Sequence, residues 1–540
     1  MVSRRLLRLL AQALSVNSLP GNRNVATGPT VNLGYSIYEG VRLAAGVDQY
    51  LGMRFAQAPL GDLRFRMPEN PVSTNATQSA SQFGPTCIGV GQTESSSVGE
   101  DCLFVNVFTP SNATAKSKLP VWLYIQGGGY KSNSNSNYNG SDVVQKSGGN
   151  LVFVNFNYRV GSLGFLASEK VREDGDLNVG LLDQRKLLQW VQKHIGKFGG
   201  DPDHVVIHGT SAGGGSVSHH LTAYGGRDDH LFIGAAPQSI FWPTQRTVRE
   251  MEFQFDRFVN DTACSGEQDP ISCLRSASLS IIMAASAVSP FPGASNTPLP
   301  LWYWLPVVDG GLIPDLMYKL FQEGKFVKVP ILVANTDDEG ASFASNATNS
   351  SDMAAFFKNN YPKLSSIELQ QLIETYPLQP AVPKHAAYFP STAAAYGDAT
   401  FICPGHELAS TFSHYVAPDH VWNYRFNVQD PDSIAAGLGT AHAVDVPAIL
   451  GPGYSGSAYR SYSDVNAAIV PITMDYWISF IRSLDPNKYR APDAPVWEPW
   501  GTGTGRRLKL ETNATQMELV PETLIGRCAL WRDLSTSMDV

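Results

Sequence analysis

Charge is scarce in this chain of 540 residues: Asp, Glu, Lys and Arg together make up 16%, against roughly 25% in an average soluble protein. Beyond the N-terminus there is no lysine or arginine block, and the formal net charge is −8. Binding to a phosphate backbone needs a basic stripe, so nucleic acid is not an expected partner. Long apolar runs are missing too. No segment approaches the ~18 uninterrupted apolar residues of a spanning helix, and no stable membrane insertion is expected of the mature chain. Hydrophobic residues still reach 43%, enough for a sizeable core under a surface that is polar more than charged. There is no repeat of fixed period and no long linker. The glycine runs lack the G-K-[ST] ending of a phosphate loop, and neither a cofactor nor a metal is expected.

Cysteine is rare, with six residues. Cys87 and Cys102 enclose the polar loop "IGVGQTESSSVGED", and Cys264 and Cys273 enclose "SGEQDPIS". Loops of this kind suit local disulfides in an oxidising compartment. Cys403 and Cys528 remain, as a third pair or as buried thiols; the alternative for all six is a cytosolic protein with free cysteines. Seven N-x-[ST] sequons, at Asn75, Asn112, Asn139, Asn260, Asn346, Asn349 and Asn513, lean towards secretion and N-glycosylation. The start, "MVSRRLLRLLAQALSVNS", has a basic end and then a short apolar segment, the pattern of a secretory leader over residues 1–20 with cleavage near 17–26. Arg8 interrupts the apolar part and no acid precedes Glu39, so an Arg-rich transit peptide and a disordered leader are the alternatives.

From about Val31 the chain reads as short β segments, with "LFVNVFTP" and "LPVWLYIQGGG" as successive strands. The pattern then changes. "GNLVFVNFNYRV" is a nearly continuous apolar strand, "LNVGLLDQRKLLQWVQKHIGKF" has the apolar spacing of an amphipathic helix, and "HVVIHG" is again a buried strand. Strand, helix, strand implies a parallel sheet with crossovers. "KVPILVANT" and "DHVWNYRFN" supply later strands, while 245–300 and 345–415 read as helical or irregular excursions capping a pocket. One domain over residues 27–540 is expected.

"HGTSAGGGS", residues 208–216, sets one serine between glycines two places away on either side. A chain with 48 glycines produces G-x-S-x-G by accident, so a glycine-rich loop with an incidental hydroxyl is the competing reading. A strand precedes it and a small-residue helix start follows, which is the setting of a nucleophile elbow. A serine hydroxyl attacks a carbonyl efficiently only with a base in reach and a third group orienting that base. The tetrahedral intermediate also needs backbone N–H donors. "QGGGY", residues 126–130, lies at a strand end and can supply them; with the residue after the serine, the expected donors are Gly128, Gly129 and Ala212.

These motifs, with "GMRFAQAPLGDLRF", "EDCLFVNVF", "NYRVGSLGFL", "VVDGGLIPD", "DDEGASF" and "GTAHAVDVP" in that order, resemble the type-B carboxylesterases. That group includes cholinesterases, yeast-type lipases and neuroligins, and the likeness is nearest to secreted esterases of filamentous fungi. The resemblance implies an α/β-hydrolase fold: a large, mixed, mostly parallel central sheet flanked by helices, with helical cap insertions. It implies that Ser211 is the nucleophile, His442 the base and Glu339, rather than Asp337 or Asp338, the acid; the two aspartates are expected to be solvated loop residues. Cys87–Cys102 and Cys264–Cys273 match the family's disulfides, and Arg64–Glu100 and Arg159–Asp183 its buried ion pairs.

Two departures narrow the substrate. Thr210 stands before the serine where cholinesterases carry a glutamate, and the loop between Cys87 and Cys102 holds no tryptophan, so the platform for a quaternary ammonium is absent from its usual place. The same loop is too short for the lid of a yeast-type lipase. The expected activity is therefore hydrolysis of small-molecule esters with short to medium acyl chains by a secreted monomer or homodimer. The alternatives are a lipase or a specialised feruloyl or mycotoxin esterase and, from another class, a neuroligin-like adhesion module.

Overall fold

The computed structural model describes residues 28–133, 137–295, 297–454, 460–501 and 505–540; the expected leader lies outside them. Eleven strands form one sheet: β1 (Val41–Leu43), β2 (Val47–Arg54), β3 (Phe104–Pro110), β4 (Leu119–Ile125), β5 (Val152–Phe156), β6 (Gly200–Thr210), β7 (Gly234–Gln238), β8 (Ile331–Thr336), β9 (Val421–Phe426), β10 (Arg506–Leu510) and β11 (Gln516–Leu519). Their spatial order is β11-β10-β9-β8-β7-β6-β4-β5-β3-β2-β1. The stretch from β10 to β5 is parallel, and antiparallel pairs close both edges. This is the large, mixed, mostly parallel sheet expected of an α/β hydrolase.

The central strands read as continuous apolar runs because both of their faces are covered. Val121, Leu123 and Ile125 of β4 pack into one core, and Trp122 and Tyr124 into the other. The same alternation sends Val152, Val154 and Phe156 of β5 one way and Phe153 the other. Helix α1 (Val179–His194) covers the first face with Leu181, Leu187, Leu188 and Val191. It also carries Asp183, which holds Arg159 through two short bonds of 2.7 and 2.8 Å in a fully buried pair. Arg64 and Glu100 form a second buried pair, at 2.6 and 2.8 Å. Each guanidinium meets a carboxylate in the forked geometry that makes such burial tolerable.

Helices at Glu252–Asp261, Pro270–Ser276 and Leu279–Ala285, and at Ser350–Asn360, Ser366–Thr375, Phe389–Gly397 and Cys403–Tyr415, fill the two excursions between strands. All six cysteines are paired: Cys87–Cys102, Cys264–Cys273 and Cys403–Cys528. The third bridge joins the helix starting at Cys403 to the C-terminal helix Glu522–Met538 across a separation of 125 residues. Closing so long a loop is worth about 5 kcal/mol in the chain-entropy model. Replacing Cys403 and Cys528 together by Ala is expected to lower the unfolding free energy in urea by about 3–5 kcal/mol. A loss under ~1 kcal/mol would show that this bridge does little to restrain the unfolded chain.

Candidate active site

Strand β6 ends at Thr210, and helix α2 (Ala212–Gly226) begins one residue later, so Ser211 alone makes the turn. Its backbone is at φ 60°, ψ −123°, a conformation a non-glycine residue adopts only when its surroundings impose it. The imposing contacts are the Ser211 N–H to Gln238 O (2.9 Å) and two bonds to the Ser211 carbonyl, from Gly215 N–H (2.9 Å) and Phe241 N–H (3.2 Å). Side chains are excluded around it: a Cβ on Gly209 would strike Gly213 O, and one on Gly213 would strike Ile125 O. The G-x-S-x-G spacing is thus a packing requirement of the turn.

The glycine loop after β4 lies beside this turn. Gly128 and Gly129 take φ 113° and 62°, and the Gly128 carbonyl accepts from both Lys131 N–H and Ser132 N–H at 3.0 Å. Among the described residues, the N–H groups of Gly128, Gly129 and Ala212 have no acceptor. Ala212 is the first residue of α2, where the orphan N–H and the helix dipole favour negative charge. Trp302 lies against this loop so closely that a Cβ on Gly129 would overlap its indole. Its Nε1–H donates to Tyr396 Oη (2.8 Å), and its ring meets Phe241 and Phe343 at centroid distances of 5.0 and 5.6 Å.

Glu339 follows the end of β8 and is fully buried. Its Oε1 accepts from Thr336 N–H (2.9 Å) and Asn335 Nδ2 (3.2 Å), which leaves Oε2 for His442 Nδ1 at 2.5 Å. That bond places the proton on Nδ1 and makes Nε2 the basic nitrogen. Nε2 is buried and bonds to nothing among the described residues. The His442 ring is walled by Phe401 (4.5 Å) and Phe343 (4.9 Å), and Phe401 stacks on Phe241, whose N–H holds the Ser211 carbonyl.

The two neighbouring aspartates keep contact with solvent, as expected of loop residues, and each also makes a bond within the chain. Asp337 pairs with Arg425 at 2.8 Å. Asp338 accepts Thr440 N–H at 2.8 Å and bridges to Ala441, so it holds one flank of the loop that carries His442. The other flank is held by Asp445, a residue the sequence reading passed over although it stands inside "GTAHAVDVP". Asp445 is fully buried and accepts from Gln238 Nε2 (2.5 Å) and Tyr424 Oη (2.6 Å). Burial pushes its carboxyl up to about 6, with the bonds from Tyr424 and Gln238 pulling the other way. Thr210 is buried too, and its hydroxyl donates to Gln238 Oε1 at 2.6 Å.

The family model described as "Carboxylesterase family" matches residues 28–531. The chain belongs to the carboxylesterase family. As such it is a carboxylic ester hydrolase. This carboxylesterase is 31% identical to Lipase 1 of Geotrichum candidum, over 88% of its own length and 90% of that protein's. It is 30% identical to Secreted lipase 4 of Gibberella zeae, over 94% and 91%. Among solved structures it is similar to Aspergillus niger EstA, with a TM-score of 0.94 and 57% identity over 95% of this chain and 99% of that one.

Proposed function

We propose that this carboxylesterase is a secreted serine esterase that cleaves esters of short to medium acyl chain through an acyl-enzyme on Ser211. Ser211 Oγ attacks the ester carbonyl carbon while His442 Nε2 takes its proton, and Glu339 stabilises the resulting imidazolium. The oxyanion forms against the N–H groups of Gly128, Gly129 and Ala212, for which no acceptor competes among the described residues, so that they need no reorganisation. The imidazolium then protonates the departing alcohol, and a water activated by the same Nε2 releases the acid. The observation that carries this reading is the 2.5 Å contact of His442 Nδ1 with Glu339, which leaves Nε2 buried and without a partner among the described residues.

Trp302 supports the acyl-chain preference. With Phe241, Phe343, Phe401 and Tyr396 in mutual contact around it, it forms an aromatic wall directly beside the oxyanion loop and the histidine. The loop between Cys87 and Cys102 is tied down beside the glycine loop, with Val90 N–H on Lys131 O at 3.0 Å. Several relatives are named lipases, so a lipase is the second reading. Rates on p-nitrophenyl esters of rising chain length, with and without an oil interface, separate the two. Trp302→Ala is expected to raise kcat/KM for dodecanoate over butyrate by roughly tenfold, the worth of about two more buried methylenes at about 0.8 kcal/mol each. An unchanged ratio would remove Trp302 from the acyl wall.

Secretion is supported by relatives named secreted lipases, by three disulfides and by the sequons. Asn75, Asn112, Asn260, Asn346, Asn349 and Asn513 are exposed and Asn139 is half-buried, so glycans can be carried at the surface.

A further inference from the structure

The floor of the site contains a chain of buried polar groups whose hydrogen-bond directions are all determined. Trp122 Nε1–H can only donate, so His208 Nδ1 accepts from it (3.1 Å) and His208 Nε2 carries the ring proton. Burial holds this imidazole at about 3, so it stays neutral. Nε2–H therefore donates to Gln238 Oε1 (2.9 Å), which also accepts the Thr210 hydroxyl (2.6 Å). With its oxygen committed on that side, Gln238 must turn its amide nitrogen to Asp445 Oδ1 (2.5 Å), and Tyr424 Oη–H occupies Oδ2 (2.6 Å).

Gln238 thus touches both halves of the catalytic apparatus. Its carbonyl holds the Ser211 N–H, its side chain holds Thr210, and its amide reaches Asp445, three residues after His442. Ser211 and His442 stand on separate loops, and no direct bond joins their side chains among the described residues. Besides the contact of His442 with Phe401 and of Phe401 with Phe241, their spacing is set by the polar groups beneath them. Asp338 ties the His442 loop to the Glu339 turn, but that tie reaches only the acid. The path through Gln238 and Asp445 runs between the loop and the nucleophile strand.

We propose that Asp445, acting through Gln238, is a positioning residue: it holds the loop of His442 against the turn of Ser211 at the spacing proton transfer requires. The proposal rests on the triad of Ser211, Glu339 and His442. A leucine at 445 would leave Gln238 Nε2–H and Tyr424 Oη–H buried without acceptors and free the loop to shift. An asparagine can keep its oxygen on Gln238. A displacement near 1 Å costs about 100-fold in rate, and a substrate that contacts neither group should bind as before.

The test compares the full chain with Asp445→Leu, Asp445→Asn, Thr210→Val and the Asp445→Leu/Thr210→Val double variant on p-nitrophenyl butyrate. Asp445→Leu is expected to lower kcat about 100-fold with KM within about threefold. Asp445→Asn should recover all but about fivefold of the loss, Thr210→Val should lose about tenfold, and the double variant should be no slower than Asp445→Leu. A folded Asp445→Leu protein with kcat near that of the parent overturns the proposal, as does a double variant whose loss is the product of the two single losses. If Asp445→Leu does not fold, Thr210→Val decides, because it removes one of the two donors that hold Gln238 Oε1 in place, at nearly constant shape; unchanged kcat there also overturns it. Phosphonate labelling of a serine other than Ser211 would remove the triad itself, a failure distinct from either result.

Discussion

Ser211→Ala should lower kcat on p-nitrophenyl butyrate by about a millionfold while leaving the fold intact. Removing the nucleophile from a working triad costs on this scale because the three groups act as a unit. What survives is the roughly 10³–10⁴-fold advantage over water that an oxyanion hole and binding supply on their own. Nothing in the packing of the elbow depends on the hydroxyl. The turn is held by the Ser211 backbone N–H and carbonyl and by the bare glycines at 209 and 213, and alanine keeps all of these. The melting temperature should therefore match the parent's within a few degrees. A serine-directed phosphonate should label a single peptide containing Ser211 in the parent and nothing in the variant. Residual activity of even one part in a hundred, or a label elsewhere, would mean that another serine does the chemistry.

Glu339→Gln is expected to cost about 10⁴-fold in kcat, and the hydrogen bonds show why an isosteric change is so damaging. Thr336 N–H and Asn335 Nδ2 both donate to one carboxylate oxygen, so the amide oxygen of a glutamine must face them. Its NH2 then faces His442 Nδ1, which has to become the acceptor, and the ring proton moves to Nε2. A histidine in that tautomer cannot take the proton of Ser211. Asp338→Asn is the control. Its oxygen can still accept Thr440 N–H, the contact Asp338 makes now, and kcat should stay within about threefold. Equal losses from the two substitutions would leave the acid unassigned and would shift attention to the loop that both residues touch.

Much of the fold was legible because the relevant forces are local. The apolar runs of β4, β5 and β6 and the spacing in α1 report directly which faces are buried. The cap helices between residues 252 and 285 and between 350 and 415 were legible only as helical or irregular excursions, since their packing is set by tertiary neighbours: Ser350–Asn360 lies on Ser366–Thr375, and Cys403–Tyr415 on β8 and β9. At the site, the glycines around Ser211 announce close backbone approach. By contrast, the three acids of "NTDDEGAS" look alike in sequence. What separates them is that Glu339 is sealed from solvent against His442 while Asp337 faces Arg425 and Asp338 faces Thr440.

The amino-acid sequence by itself determined the strand and helix order, the elbow around Ser211, the glycine loop and, through the family resemblance, the candidate roles of Glu339 and His442. Only the tertiary structure decided that Cys403 meets Cys528, that Trp302 closes over Gly129, and that Gln238 carries a hydrogen-bonded path from Thr210 to Asp445. The reason is physical. Periodicity and turn chemistry act over a few residues, whereas these contacts join segments about 125, 173 and 207 residues apart and depend on shape and on which buried donors still lack an acceptor.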